Sequence, residues 1–217
     1  MKRKEAVFLK MKASSGCLHS QVELGRAFLF GEGFSQSFKD AEFWLRKSYE
    51  EGSLEGAYQL AMFLKRSIGN KEKNNEAFQV LYHAASLGHV KSQRRLARCF
   101  LNGSGTEENQ AEAAWWFFVS GLLGDRDSRF MLGRMFELGQ GVDPDSDESV
   151  YWYELAAENG DVDAQFLLAK ILFNKGFIED SERWFKSARR AGDKEAVKEL
   201  KKIKEIKESE IDENYKY

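Results

Sequence analysis

Glycine recurs at a fixed interval along this chain, and that period constrains the fold more than any other feature. Gly16, Gly52, Gly88, Gly124, Gly160 and Gly192 are spaced 36, 36, 36, 36 and 32 residues apart. A period of roughly 20–50 residues is the mark of a stacked array, in which each unit buries its apolar face only against its neighbours. Slots counted forward from each glycine repeat in kind. Slot four is always small: Ser20, Gly56, Ser92, Ser128, Ala164 and Ala196. Slot eight is always leucine: Leu24, Leu60, Leu96, Leu132, Leu168 and Leu200. Slot nine is Gly25, Ala61, Ala97, Gly133 and Ala169, and slot twelve is Phe28, Leu64, Phe100, Phe136 and Leu172. Slots four, eight, nine and twelve share one arc of a helix. Each repeat therefore opens with a helix that buries a leucine and a larger apolar residue, with small residues that admit a close neighbour.

A second pattern precedes each glycine. Eight residues before it stand Trp44, Val80, Trp116, Trp152 and Trp184, which regular spacing places in the core. Small residues follow, at Ser48, Ala84-Ala85, Ser120-Gly121, Ala156-Ala157 and Ala188. Twelve residues before the glycine an acid recurs, at Asp40, Glu76, Glu112, Glu148 and Asp180, where it caps a second helix and complements its dipole. Gly31-Glu32-Gly33, Gly103-Ser104-Gly105 and Gly139-Gln140-Gly141 lie between the two helices. Repeat two has Ser67 and Gly69 there instead, and repeat five is four residues short in this loop. A single proline, Pro144, against 18 glycines fits helices ended by glycine caps.

This pattern resembles the Sel-one-like repeat (SLR) family of the tetratricopeptide-like superfamily. Repeat four carries it most clearly, with Leu132-Gly133, Phe136, Gly139-Gln140-Gly141-Val142, Trp152, Ala156-Ala157 and Gly160. The resemblance implies an all-α fold, an α/α solenoid in which antiparallel helix pairs form a right-handed superhelix. The expected organisation is an N-terminal capping helix over residues 1–15, five repeats over 16–191 starting at 16, 52, 88, 124 and 160, and a C-terminal capping helix with a tail over 192–217. Phe8 falls in the tryptophan slot of the leading half-repeat and Ala13 in a small slot. Ala196, Leu200 and Ile203 form the apolar face of the closing helix, and Ile211 to Tyr217 is expected to fray.

Few residues combine for chemistry. His19, His83 and His89 occupy three different slots without a partner at ligand spacing, and read as surface or helix-terminus residues. Cys17 and Cys99 lie in different repeats, too far apart to bridge, and read as reduced thiols. Some secreted members of the family carry a disulfide in each repeat and are linked to β-lactam binding; this chain lacks those cysteine pairs. The Gly-x-Gly elements fit helix C-caps better than a phosphate loop. Asp143, Asp145, Asp147 and Glu154 match four positions of a calcium loop, but Glu148 stands where glycine is needed and the repeat register starts a helix there. No catalytic residue, structural metal or small-molecule cofactor is expected.

In the tetratricopeptide architecture the first helices line the concave surface. Their side away from the core holds slots six, ten and thirteen. Slot six reads Val22, Tyr58, Arg94, Phe130 and Phe166; slot ten Arg26, Met62, Arg98, Arg134 and Lys170; slot thirteen Leu29, Lys65, Leu101, Glu137 and Phe173. Six of these fifteen are basic and one is acidic, although the chain carries a net charge of -2. Arginine beside aromatics is the composition of a protein-binding hot spot. Arg26, Tyr58, Met62, Lys65, Arg94, Arg98, Phe130, Arg134, Phe166, Lys170 and Phe173 are thus the candidate contacts for an acidic, partly apolar segment or domain of another protein. The alternative is that slots six and thirteen bury against adjacent repeats and the arginines pair with nearby acids.

The expected function is a non-enzymatic interaction module, which the resemblance sets as a bacterial adaptor or scaffold or as a toxin-neutralising immunity protein. The rival is a hydrolase acting on cell-wall or β-lactam compounds. The net charge argues against nucleic acid, no apolar run of 18 residues exists for membrane insertion, and the expected location is the cytoplasm. Calcium chelation and thiol reduction should each leave the melting temperature unchanged. A drop on chelation, read by thermal denaturation, would make the Asp143–Glu154 segment a metal site.

Overall fold

The computed structural model describes residues 3–67 and 69–214, and the side chains of residues 4–67 and 69–208. The described residues form twelve α-helices and no strand: α1 (Arg3–Ser14), α2 (Leu18–Phe30), α3 (Phe38–Glu50), α4 (Leu54–Leu64), α5 (Lys71–Ser86), α6 (Val90–Asn102), α7 (Gln110–Leu122), α8 (Arg126–Leu138), α9 (Ser146–Glu158), α10 (Val162–Asn174), α11 (Ile178–Arg190) and α12 (Glu195–Asn214). They divide into two compact units, residues 1–116 and 117–217. In the first, each helix from α1 to α6 packs on the next; in the second, α8 to α12 do the same. Short turns between packed neighbours make them antiparallel pairs.

The periodic glycines close these turns. All six have φ between 79° and 105°, a conformation that other residues adopt only with strain. Each donates its N–H to the carbonyl three residues back, as in Gly52 to Tyr49 at 2.9 Å and Gly160 to Ala157 at 3.0 Å. The residue after the glycine donates five residues back, as in Ser53 to Ser48 and Asp161 to Ala156. This pair of bonds is the Schellman ending. The residue after the glycine then opens the next helix. Side-chain oxygens of Ser53, Asp125, Asp161 and Asp193 accept from the N–H groups of Gly56, Ser128, Ala164 and Ala196 at 2.8–2.9 Å. One residue thus ends one helix with its backbone and caps the next with its side chain.

The recurring acids are not the caps of the second helices. Ser37, Asn109 and Asp145 are, three residues earlier, accepting from the N–H groups of Asp40, Glu112 and Glu148. The acids sit inside the first turn, where the dipole still favours them. In repeat two α5 starts early, at Lys71, so Glu76 lies past the first turn and pairs with Arg46 instead.

The core follows the slots with one shift. The leucines of slot eight are buried from Leu24 to Leu168, and Leu200 is half-buried. The tryptophan column is not uniformly core: Trp44 and Trp152 are buried, whereas Trp116 and Trp184 are half-buried and Phe8 is exposed. The most deeply buried position is the next residue. Leu45, Leu81, Phe117, Tyr153 and Phe185 are at most 1% exposed. Slot nine is small because this side chain presses on it. A Cβ on Gly25 would lie 2.7 Å from Leu45 Cγ, and one on Gly133 would lie 2.8 Å from the Tyr153 ring. The tryptophan slot faces the preceding second helix instead: a Cβ on Gly121 would lie 3.3 Å from the Trp152 ring, which meets Phe118 edge-on at 5.7 Å.

α1 buries Ala13 against α2 and leaves Phe8 under Lys12, 4.5 Å from the ring. α12 buries Ala196 and Ile203 and stays helical through Asn214, beyond the expected start of fraying at Ile211; residues 215–217 lie outside the described residues.

Leu45→Ala is expected to cost about 2–5 kcal/mol, and Phe43→Ala, two residues away and exposed, less than about 1 kcal/mol, both by chemical denaturation. Gly133→Ala pits about 1 kcal/mol of helix propensity against overpacking on Tyr153 of about 1–3 kcal/mol. Net destabilisation is the expected outcome.

Candidate partner-binding face

The first helix of a repeat is fixed against its predecessor by a side chain in slot five. Gln21, Gln93 and Gln165 donate from Nε2 to the carbonyls of Ala13, Ala85 and Ala157 at 3.1–3.3 Å. Arg129 does the same from Nε to Gly121 at 2.9 Å. Each bond reaches eight residues back, across the turn, to the closing end of the preceding helix. With slot eight buried on one side, this tie sets which side chains face away. The sequence signal is glutamine at slot five in three repeats, Gln21, Gln93 and Gln165.

In the first unit the candidates are spread over α2, α4 and α6. Arg26 is exposed and pairs with Glu23 of its own helix at 3.1 Å. Tyr58 is half-buried, its ring 5.9 Å from that of His89 and under Lys91 Nζ at 5.8 Å. Met62 is half-buried, and Lys65 donates from Nζ to the buried Cys99 Sγ at 3.2 Å. Arg94 and Arg98 are half-buried on α6, and Arg98 makes no ion pair among the described residues.

In the second unit the candidates converge. Phe130, Arg134 and Phe166 line one cavity of about 410 Å³ together with Glu137 and Asp163. Phe130 packs on Tyr153 with ring centroids 5.8 Å apart, and Phe166 meets Phe185 edge-on at 5.5 Å. Lys170 is exposed, with Nζ 5.8 Å from the Phe166 ring. Phe173 is half-buried in the cluster of α10, α11 and α12. The Tyr153 hydroxyl donates to Glu137 at 2.6 Å, and burial together with this carboxylate pushes its pKa well up. The tyrosine stays neutral and holds Glu137. Arg134, exposed on the same helix, makes no ion pair among the described residues.

Slots six and thirteen are therefore mostly packing positions. Val22 and Leu29, which the pattern put on the stripe, are buried core. Slot ten is the more exposed position within each unit, with Arg26, Arg134 and Lys170 exposed and Met62 and Arg98 half-buried.

The remaining chemical candidates occupy structural positions. His19 lies in the first turn of α2, His83 in the last turn of α5, and His89 at the N-cap of α6. Cys17 is exposed and Cys99 buried, both as free thiols. The Asp145 carboxylate accepts from the N–H groups of Asp147 and Glu148 at 2.8 and 3.0 Å, so it caps α9 and does not wrap an ion. Gly31, Gly103 and Gly139 are left-handed C-caps of α2, α6 and α8. No helix of the described residues is long and apolar enough to cross a membrane.

The Sel1 repeat family model matches residues 18–53, 90–125, 126–161 and 162–193, well over half the chain, and passes over repeat two. No curated protein sequence matches the chain. Among solved structures, a protective antigen of uropathogenic Escherichia coli with the SLR fold is 25% identical and superposes with a TM-score of 0.83, over 92% of this chain and 43% of that one. The chain thus spans less than half of that protein. A Sel1 repeat protein from Oxalobacter formigenes is 22% identical, with a TM-score of 0.74, over 93% of this chain and 89% of that one. An immunity protein from Pseudomonas aeruginosa is 20% identical, with a TM-score of 0.51 over 76% of this chain and 60% of that one.

His89 supplies a pH test beside Tyr58. Burial lowers its pKa from 6.5, against the pull of Glu55, whose carboxylate lies 3.6 Å from Nε2. A depressed histidine favours folding when neutral. Its contribution is complete above pH 6.5 and is lost as the pH falls from there toward the folded-state value. Thermal melts should therefore show stability falling on acidification through this window, and His89→Asn, which caps without titrating, should remove that component.

Proposed function

This chain belongs to the Sel1 repeat family, and we propose that the outward faces of its first helices bind another protein whose contact surface is acidic and partly apolar. The observation that carries this reading is the set of cations at slot ten. Arg98, Arg134 and Lys170 have no carboxylate partner among the described residues, although most exposed cations on α11 and α12 do. In the second unit, two of these cations lie beside the aromatic walls of Phe130 and Phe166. Unpaired cations beside half-buried rings suit a partner that brings carboxylates around an apolar anchor. Tyr58, Met62, Lys65 and Arg94 in the first unit and Phe173 in the second are further candidate contacts, and Arg26 in the first unit would exchange Glu23 for a partner acid.

The role is that of an adaptor or scaffold, or of an immunity protein that neutralises a toxin by binding it; a P. aeruginosa protein that shares the fold is an immunity protein. Activity comes from binding and not from catalysis, and the compartment is the cytoplasm.

Affinity capture from the native cell, followed by titration of the recovered partner, tests this. Arg98→Glu with Arg134→Glu should weaken binding by about 2 kcal/mol or more, roughly thirtyfold, while the melting temperature stays near wild type. Equal affinity of the double variant for the partner would exclude the slot-ten cations as contacts.

A further inference from the structure

Repeat two departs from its neighbours between its two helices. α4 ends at Leu64 on Lys65 in a right-handed conformation, without a glycine cap, and α5 runs for 16 residues where the other second helices described have 13. A cavity of about 480 Å³ opens here, walled by Phe38 and Phe63 and lined by Lys39, Arg66 and Lys73. Glu42 also lines it, but its carboxylate is engaged by Arg46 at 3.0 Å. Lys39 and Lys73 make no ion pair among the described residues, and Arg66 rests on the Phe30 ring at 6.0 Å without a carboxylate. Three cations thus share one small space in a chain of net charge -2. Lys73 is the third residue of α5, so the positive end of that helix dipole adds to the same potential. Phe38, 53% exposed, presents an uncovered apolar wall at the rim.

We propose that this cavity binds a phosphate monoester with a flat apolar group. The phosphate lies among Lys39, Arg66 and Lys73, and the flat group against Phe38 and Phe63. The size falls within the roughly 300–1,000 Å³ of small-ligand sites. A phosphate monoester is mostly dianionic at neutral pH, with a second pKa of about 6, and answers three cations better than a single carboxylate does. Lysine serves phosphate as a point charge and arginine by paired N–H groups. The site is separate from the partner-binding residues and stands whether or not that face binds a protein.

Isothermal titration calorimetry of the full chain with phenyl phosphate, inorganic phosphate and benzoate tests the proposal. Phenyl phosphate should bind saturably and at least about tenfold more tightly than either of the others, since each lacks one half of the recognition. Arg66→Ala with Lys73→Ala should weaken it at least about tenfold, with circular dichroism and melting temperature unchanged, whereas Arg190→Ala on α11 should have no effect. If the double variant does not fold, Lys39→Glu, at an exposed position, is expected to give the same loss. Absence of saturable binding, equal binding of benzoate or of inorganic phosphate, or binding unchanged in these variants would overturn the proposal.

Discussion

The fold depends on one contact repeated along the chain. A large apolar side chain from the second helix presses on a glycine or alanine of the first, as Leu45 does on Gly25 and Tyr153 on Gly133. The fit leaves no room for a Cβ at either glycine, so the helices approach as closely as their backbones allow. The slot-eight leucines are buried beside it. Both halves of this contact come from one repeat, and slot four makes the contact to the preceding repeat, as where a Cβ on Gly56 would meet Ser48.

Turn chemistry carries the same economy. A left-handed glycine ends a helix, and the residue after it both completes that ending and caps the next helix. Where the cap is His89, the side chain makes no cap bond to the backbone; it meets Ser92 Oγ at 2.8 Å and lies close to Glu55. That substitution brings a titratable ring next to Tyr58. Repeat two shows the converse. Loss of the glycine cap after α4 moves the start of α5 and leaves a cavity bordered by unpaired cations. The family model passes over this repeat, which fits a segment released from the common turn pattern.

Charge is distributed unevenly. Many exposed cations of α11 and α12 find acids within their own or the adjoining helix, among them Lys186 with Glu182, Lys202 with Glu199 and Lys207 with Glu182. Arg98, Arg134 and Lys170 do not. Glu137 could have answered Arg134 but is held by the Tyr153 hydroxyl. Exposed ion pairs contribute little to stability, so this pairing pattern carries little of the fold's stability.

The sequence by itself determined the helix count, the turn positions and the buried leucine column, because period, glycine and slot pattern are local and repeat often enough to read. It also placed the slot-ten cations outward, since that follows from the opposite arc being core. Tertiary structure decided the rest. Regular spacing placed the tryptophans in the core, yet the most deeply buried residue is the one after each, and only the approach of the paired helix shows which of two adjacent apolar residues lies at the contact. Val22 and Leu29 shared the outward slots by periodicity but are covered by neighbouring side chains. The slot-five glutamine ties, the capture of Glu137 by Tyr153 and the cations around the repeat-two cavity all join residues from different helices. Helical periodicity assigns a side chain to a face, but what stands opposite that face is fixed only when the helices pack.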